Sequence, residues 1–130
     1  MIVDTSALLA ILFREVGFEA FDTAIAQASS CRISAAGFVE VSIVVELRGG
    51  DRGLRQCDAL FREGRISIEP VTEEQAYSAR QAYSDYGKGR HPANLNFGDC
   101  FSYALAKATG EPLLFRGDDF RKTDVQSALS

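Results

Sequence analysis

The chain has 130 residues, 46% apolar and 25% charged, which is enough for one domain with a real core and ordinary for a soluble globular protein. No stretch approaches a bilayer span, and the opening MIVDTSALLAILF lacks the basic start of a secretory leader, so the expectation is a cytoplasmic protein without membrane attachment. The net charge of −4, taken as a sum, argues against a nucleic-acid partner, but the charges are unevenly placed: five arginines fall within residues 48–65, and YGKGRHP forms a second basic cluster.

In chain order, MIV reads as a short buried strand ending in Asp4, followed at once by helical pattern in TSALLAILFRE and again in GFEAFDTAIAQAS. CRIS is a second strand. The apolar segment 36–48 has the length of a helix, and DRGLRQCDALFREG is an amphipathic helix with Leu54, Cys57 and Phe61 on one face and Arg52, Arg55 and Arg62 opposite. RISIEPV alternates like a strand. TEEQAYSARQAYSDYG opens with a capping pattern and closes on glycine. After the basic loop comes a helix over 95–110, with Phe101, Ala104, Leu105 and Ala108 at helical spacing, then PLLF as a last strand and a polar tail. Short strands alternating with helices predict an α/β fold: a parallel sheet wrapped by helices, with ligands at the carboxyl ends of the strands. No repeat or linker divides residues 1–130, so a single domain is expected.

That rule directs attention to the acids that follow each element. Asp4 follows the first strand, where it can cap the next helix or hold a metal. Glu40 shares a helical face with Ile43, Val44 and Leu47, which is costly without a cation or hydrogen-bond partner; an arginine salt bridge and metal support both remain open. Asp99 stands in the first turn of its helix, where it complements the dipole whatever else it does. Asp118 and Asp119 follow the last strand and read equally as a cap or as site residues. Carboxylates converging at one sheet edge repel one another unless cations neutralise them. One histidine and three scattered cysteines, Cys31, Cys57 and Cys100, make no zinc set, and the odd number reads as reduced, buried thiols. Mg²⁺ or Mn²⁺ with oxygen ligands fits the inventory, and metal-assisted attack of water on a phosphodiester is the implied chemistry.

With MIVDTSALLAIL, FVE, NFGDCFSYALAKATGEPLLF and GDDF in that order, the sequence resembles PIN-domain ribonucleases. More narrowly, it resembles the VapC toxins of bacterial type II toxin–antitoxin systems, over essentially its whole length. The resemblance implies a three-layer α/β/α domain that cuts RNA with Mg²⁺ or Mn²⁺. Asp4 and Asp99 would be direct metal ligands, and Glu40 would hold a metal-bound water or a second ion. Relatives often carry Thr or Ser shortly before the last aspartate; here Phe115, Arg116 and Gly117 stand there, leaving open whether Asp118 or Asp119 completes the site. The family also implies a cognate VapB-like antitoxin whose tail blocks the active site, and a homodimer. For RNA, Lys88, Arg90 and His91 in the loop before Asp99, with Arg116 beside the fourth motif, are the expected phosphate contacts, and Tyr86 or Phe97 the candidates to stack on an unpaired base.

The same residues bear on three rivals: a non-catalytic binding domain, a phosphoryl-transfer protein of another α/β class, and a housekeeping nuclease. A non-catalytic binding domain would tolerate loss of the acids that are all present. A receiver would need a lysine where Arg116 and Gly117 stand, and an aspartate-dependent phosphatase a second aspartate where Ser6 stands. A housekeeping RNA-processing nuclease would use the same residues as a toxin.

Overall fold

In the computed structural model, which describes residues 1–129, the elements run β1 (Ile2–Val3), α1 (Thr5–Leu12), α2 (Phe18–Gln27), β2 (Cys31–Ser34), α3 (Ala35–Glu63), β3 (Ile66–Glu69), α4 (Glu73–Tyr86), α5 (Phe97–Thr109) and β4 (Leu113–Leu114). A 3₁₀ turn over Asp119–Lys122 follows. The strands form one sheet in the order β3-β2-β1-β4, and every pairing is parallel.

Helices cover both faces, which is why β1 (Ile2, Val3) and β4 (Leu113, Leu114) are apolar at every position. Side chains alternate across the sheet: Ile2 and Leu113 enter the core built with α4 and α5, while Val3 and Leu114 enter the one built with α1, α2 and α3. The result is the three-layer α/β/α arrangement. No helix among the described residues is long and apolar enough to cross a membrane.

The two helices expected on either side of residue 50 are both present, as the two halves of α3 separated at Gly50, whose backbone is not helical (φ 57°, ψ −147°), a conformation that glycine adopts without a side-chain penalty. Two expectations change in detail. Helix α1 stops at Leu12 instead of running on to Glu15, and Arg14 turns left-handed at φ 49°. Ala108, expected on the buried stripe of α5, is exposed; that helix buries Cys100 and the run from Ser102 to Ala106 instead. The cysteines are free and buried, as expected.

The connections place the site. From β1 the chain crosses to β2 on one side, while β4 returns to the other side of β1, so strand order reverses at β1. In an open α/β sheet the crevice at such a reversal, beyond the carboxyl ends of the strands, is where ligands bind. Asp4 is the residue just past β1, and its backbone N–H donates to Leu114 O at 2.9 Å.

Candidate active site

Asp4 caps α1: its Oδ2 accepts from the Ser6 backbone N–H at 3.0 Å and from the Ser6 hydroxyl at 2.6 Å. The other oxygen, Oδ1, accepts from the Ser102 hydroxyl at 2.5 Å. Cap and site residue are therefore not competing roles, because the carboxylate that closes the helix also faces the crevice. The Arg116 backbone N–H donates to Ser6 Oγ at 2.9 Å, so the loop after β4 is tied to Asp4 through Ser6.

Glu40 reaches the same pocket from α3, and Asp4, Glu40 and Asp99 line it together with Thr5, Ser6 and Asn96. Burial raises the Glu40 pKa above its ordinary value; the Thr5 hydroxyl offsets part of this, and the charge of Asp4 adds to it. No arginine pairs with it: among the described residues, no basic side chain lies within salt-bridge distance of Asp4, Glu40 or Asp99. Room for Glu40 comes from Gly98. A Cβ on Gly98 would lie 2.7 Å from Glu40 Oε1 and 2.8 Å from its Cδ. Glycine in a first helical turn is unfavourable by propensity, and here the reason for it is close approach.

Asp99 sits in a capping box at the start of α5. Asn96 Oδ1 accepts from the Asp99 N–H at 2.9 Å, and Asp99 Oδ2 accepts from the Asn96 N–H at 3.0 Å. One of its oxygens is thus committed to the cap and the other is left to the pocket. Burial, followed by the charge of Asp4, raises its pKa to about 7 against the pull of the Asn96 N–H; Glu40 and Asp119 add smaller contributions in the same direction.

The donor set is all oxygen, which suits a hard divalent cation and not zinc. Crowded acids with raised pKa values and no neighbouring base are the electrostatic counterpart of such a site. Among the described residues, no three acidic, histidine or cysteine side chains are already close enough to grip one ion. An ion held by two carboxylates, waters and a substrate phosphate needs no such triad.

The two later aspartates are both exposed; the charge of Asp119 is felt at Asp99, and Asp118 stands 4.0 Å from Arg121. The guanidinium of Arg116 stands 3.8 Å from Glu15. The basic loop divides. Lys88 lines a groove that adjoins the acidic pocket at Asn96, while the Arg90 guanidinium lies 5.7 Å from the centre of the Tyr83 ring. His91 braces its own loop: Nδ1 accepts from the Ala93 N–H at 3.0 Å, and the ring meets Tyr86 edge-on. Tyr86 is half-buried and packs against the core, whereas Phe97 is 77% exposed.

Sequence reasoning did not single out Ser6, Ser102, Asn96 or Gly98. Each carried a local signal: a hydroxyl two residues after Asp4, a serine one turn beyond Asp99, an N-cap residue three before Asp99, and a glycine inside a helix start.

A family model described as "PIN domain" matches residues 1–126. Ribonuclease VapC28 of Mycobacterium tuberculosis is 51% identical over 130 residues, covering 99% of this chain and 98% of that protein. A ribonuclease VapC of Mycolicibacterium smegmatis is 49% identical over 125 residues, covering 96% and 97%. Among solved structures, the Mycobacterium tuberculosis toxin VapC20, titled as sarcin–ricin loop cleaving, superposes with a TM-score of 0.77 at 18% identity over 95% of each chain. A toxin–antitoxin complex from Klebsiella pneumoniae gives 0.67 at 19% identity, covering 95% of this chain and 92% of that one. At those identities the structures establish the shared fold.

Proposed function

The chain belongs to the PIN-domain family and within it to the VapC ribonucleases, and from that membership we propose that it is a Mg²⁺- or Mn²⁺-dependent endoribonuclease, the toxin of a toxin–antitoxin pair. The observation that carries the reading is the meeting of Asp4, Glu40 and Asp99 in one pocket at the strand-order reversal, with no basic side chain to neutralise them.

Asp4 and Asp99 would hold the ion, with Asp119 adding negative charge at the rim. Bound there, a divalent cation supplies an activated water and stabilises charge on the leaving oxygen of the phosphodiester. The protein's own part is positioning. Ser6 and Ser102 hold both oxygens of Asp4, the Asn96 cap holds one oxygen of Asp99, and Gly98 lets Glu40 approach close enough to orient the attacking water or to hold a second ion. Lys88, Arg90 and Arg116 would meet RNA phosphates, and His91 would contribute by shaping the loop that presents them.

A partner surface adjoins the site. Val39, Ile43 and Leu47 form one exposed stripe of α3, at 54%, 52% and 81% exposure, and Glu40 stands beside it. We assign this stripe to the cognate VapB-like antitoxin, whose following segment would then enter the acidic pocket. The named toxin–antitoxin complex among the structural neighbours supports a partner of that kind. A homodimer acting in the cytoplasm completes the proposal.

The test is cleavage of host RNA, total tRNA included, by wild type and Asp4→Asn with Mg²⁺ or Mn²⁺ against EDTA. Cutting that needs both the metal and Asp4 supports the nuclease. No cutting by wild type, together with no metal binding by calorimetry, overturns it in favour of a non-catalytic binding domain.

A further inference from the structure

Arg116 is tied to the acidic pocket by its backbone and turned away from it by its side chain. Its N–H donates to Ser6 Oγ at 2.9 Å, and the Ser6 hydroxyl donates to Asp4 Oδ2 at 2.6 Å, so two hydrogen bonds separate the Arg116 backbone from a proposed metal ligand. Ser6 lies in the first turn of α1, whereas the Arg116 guanidinium stands 3.8 Å from Glu15, beyond the other end of that helix. Eight helical residues span about 12 Å, so the side chain is laid along α1 and leaves the pocket without a cation on its walls. The position of Glu15 is fixed by how α1 ends. Arg14 takes the left-handed place (φ 49°) that glycine ordinarily fills after a helix, its N–H donating to Ile11 O at 3.2 Å, and the Glu15 N–H donates to Ala10 O at 2.9 Å. Both backbones are therefore anchored, and what remains free to move is the side chains.

We propose that Glu15 is a positioning residue: it holds the Arg116 guanidinium off the acidic pocket until RNA arrives, and a phosphate next to the scissile one then draws the guanidinium away from it. The inference rests on the nuclease reading and goes beyond it by naming what controls Arg116. Three features set the direction of that exchange. The two side chains are partly exposed, at 44% and 35%, and ion pairs of that kind are weak and screened by salt. At 3.8 Å the contact is longer than a hydrogen bond, and among the described residues no hydrogen bond holds the guanidinium. A phosphate, by contrast, can accept two parallel hydrogen bonds from the same planar fork. Glu15 thus attracts Arg116 enough to orient it and too little to keep it.

The experiment measures binding of fluorescein-labelled total host tRNA, in EDTA so that no cleavage intervenes. Variants are Glu15→Gln, Arg116→Gln, Arg116→Lys and the double replacement Glu15→Gln, Arg116→Gln, each checked for folding by circular dichroism. Glu15→Gln is expected to tighten binding about two- to fivefold, the range that an exposed ion pair accounts for. Arg116→Gln is expected to weaken it about tenfold, with Arg116→Lys keeping part of the affinity. The double variant should bind as Arg116→Gln does, because Glu15 acts only through the guanidinium. Equal tightening by Glu15→Gln with and without Arg116 would mean that Glu15 repels RNA by its own charge, which overturns the proposal. Unchanged affinity in folded Glu15→Gln overturns it too, as does coupling seen only in neutralisation by co-expressed antitoxin with RNA affinity unmoved. Wild-type cleavage with Mg²⁺ or Mn²⁺ but no coupling between the two residues removes the positioning role and leaves the nuclease standing. Coupling in tRNA binding without cleavage in either metal does the reverse.

Discussion

The Ser102 hydroxyl donates to Asp4 Oδ1 at 2.5 Å, joining α5 to the carboxyl end of β1 across 98 residues of chain. Both residues are almost wholly buried, at 2% and 3% exposure. Ser102 lies one helical turn beyond Asp99, so the same bond that aims Asp4 also sets how far apart the two proposed metal ligands stand. A hydrogen bond to a buried charge is worth about 1.5–3 kcal/mol, and Ser102→Ala should lose stability in that range in urea denaturation. It should also weaken Mn²⁺ binding by calorimetry about tenfold, with Ser102→Thr restoring part of it. Unaltered metal affinity in the alanine variant would reduce Ser102 to a structural role.

Gly98→Ala separates helix stability from chemistry. Elsewhere in a helix, alanine in place of glycine gains about 0.5–1 kcal/mol. Here the new methyl group displaces the Glu40 carboxylate, the far end of a flexible side chain, so the expected stability change is near zero. Cleavage should fall about tenfold or more. If the variant cuts at the wild-type rate, Glu40 has no part in the reaction that depends on its present position.

The pH dependence follows from Asp99. Its folded-state pKa of about 7 lies above the ordinary aspartate value of 3.8, so the folded protein binds this proton more tightly than the unfolded chain does. In EDTA, the contribution of this residue to stability is therefore greatest below the unfolded value and is lost as pH rises through about 7. Asp99→Asn should melt a few degrees higher than wild type at pH 8, with the difference shrinking toward pH 5. Added Mg²⁺ should raise the wild-type melting point at pH 8 and leave the variant nearly unmoved. A variant that gains nothing at pH 8 would contradict the crowding of charge described for this pocket.

The α3 stripe makes a fourth prediction. Ile43 and Leu47 are exposed, so replacing both with lysine should change stability by only about 0.5 kcal/mol or less each. RNA cleavage by the isolated protein should continue, while co-expressed cognate antitoxin should no longer neutralise it. Neutralisation that survives both replacements would move the antitoxin to another face.

Much of the architecture was legible because local chemistry and tertiary demand agreed. The two-faced burial of β1 and β4 leaves apolar runs such as MIV and PLLF, and the glycines after α4 and α5 mark their ends. Gly50 marks the break between two helices in the sequence and in the structure, while the close packing of the two halves, where a Cβ on Gly53 would fall 2.6 Å from Val45 O, depends on tertiary contact. Interactions between elements also override local period. Ala108 fits the apolar period of α5 yet faces outward, because burial of that helix follows the sheet and α4 and not the period alone.

The sequence by itself determined the elements, the alternation that makes the sheet parallel, and the family, since IVDTSAL and NFGDCFSYALA carry both the helix starts and the acids within a few residues. It could not say which roles coexist. Whether Asp4 caps a helix or faces a site, whether Glu40 pairs with an arginine, and whether Asp118 or Asp119 acts on Asp99 are questions of distance between side chains from different elements. Only the tertiary structure answers them: strand order reverses at β1, and α3, α5 and the loop after β4 then meet there. Helix propensity and apolar period act over a few residues, whereas the field at a carboxylate depends on every charge and donor around it, however distant in the chain.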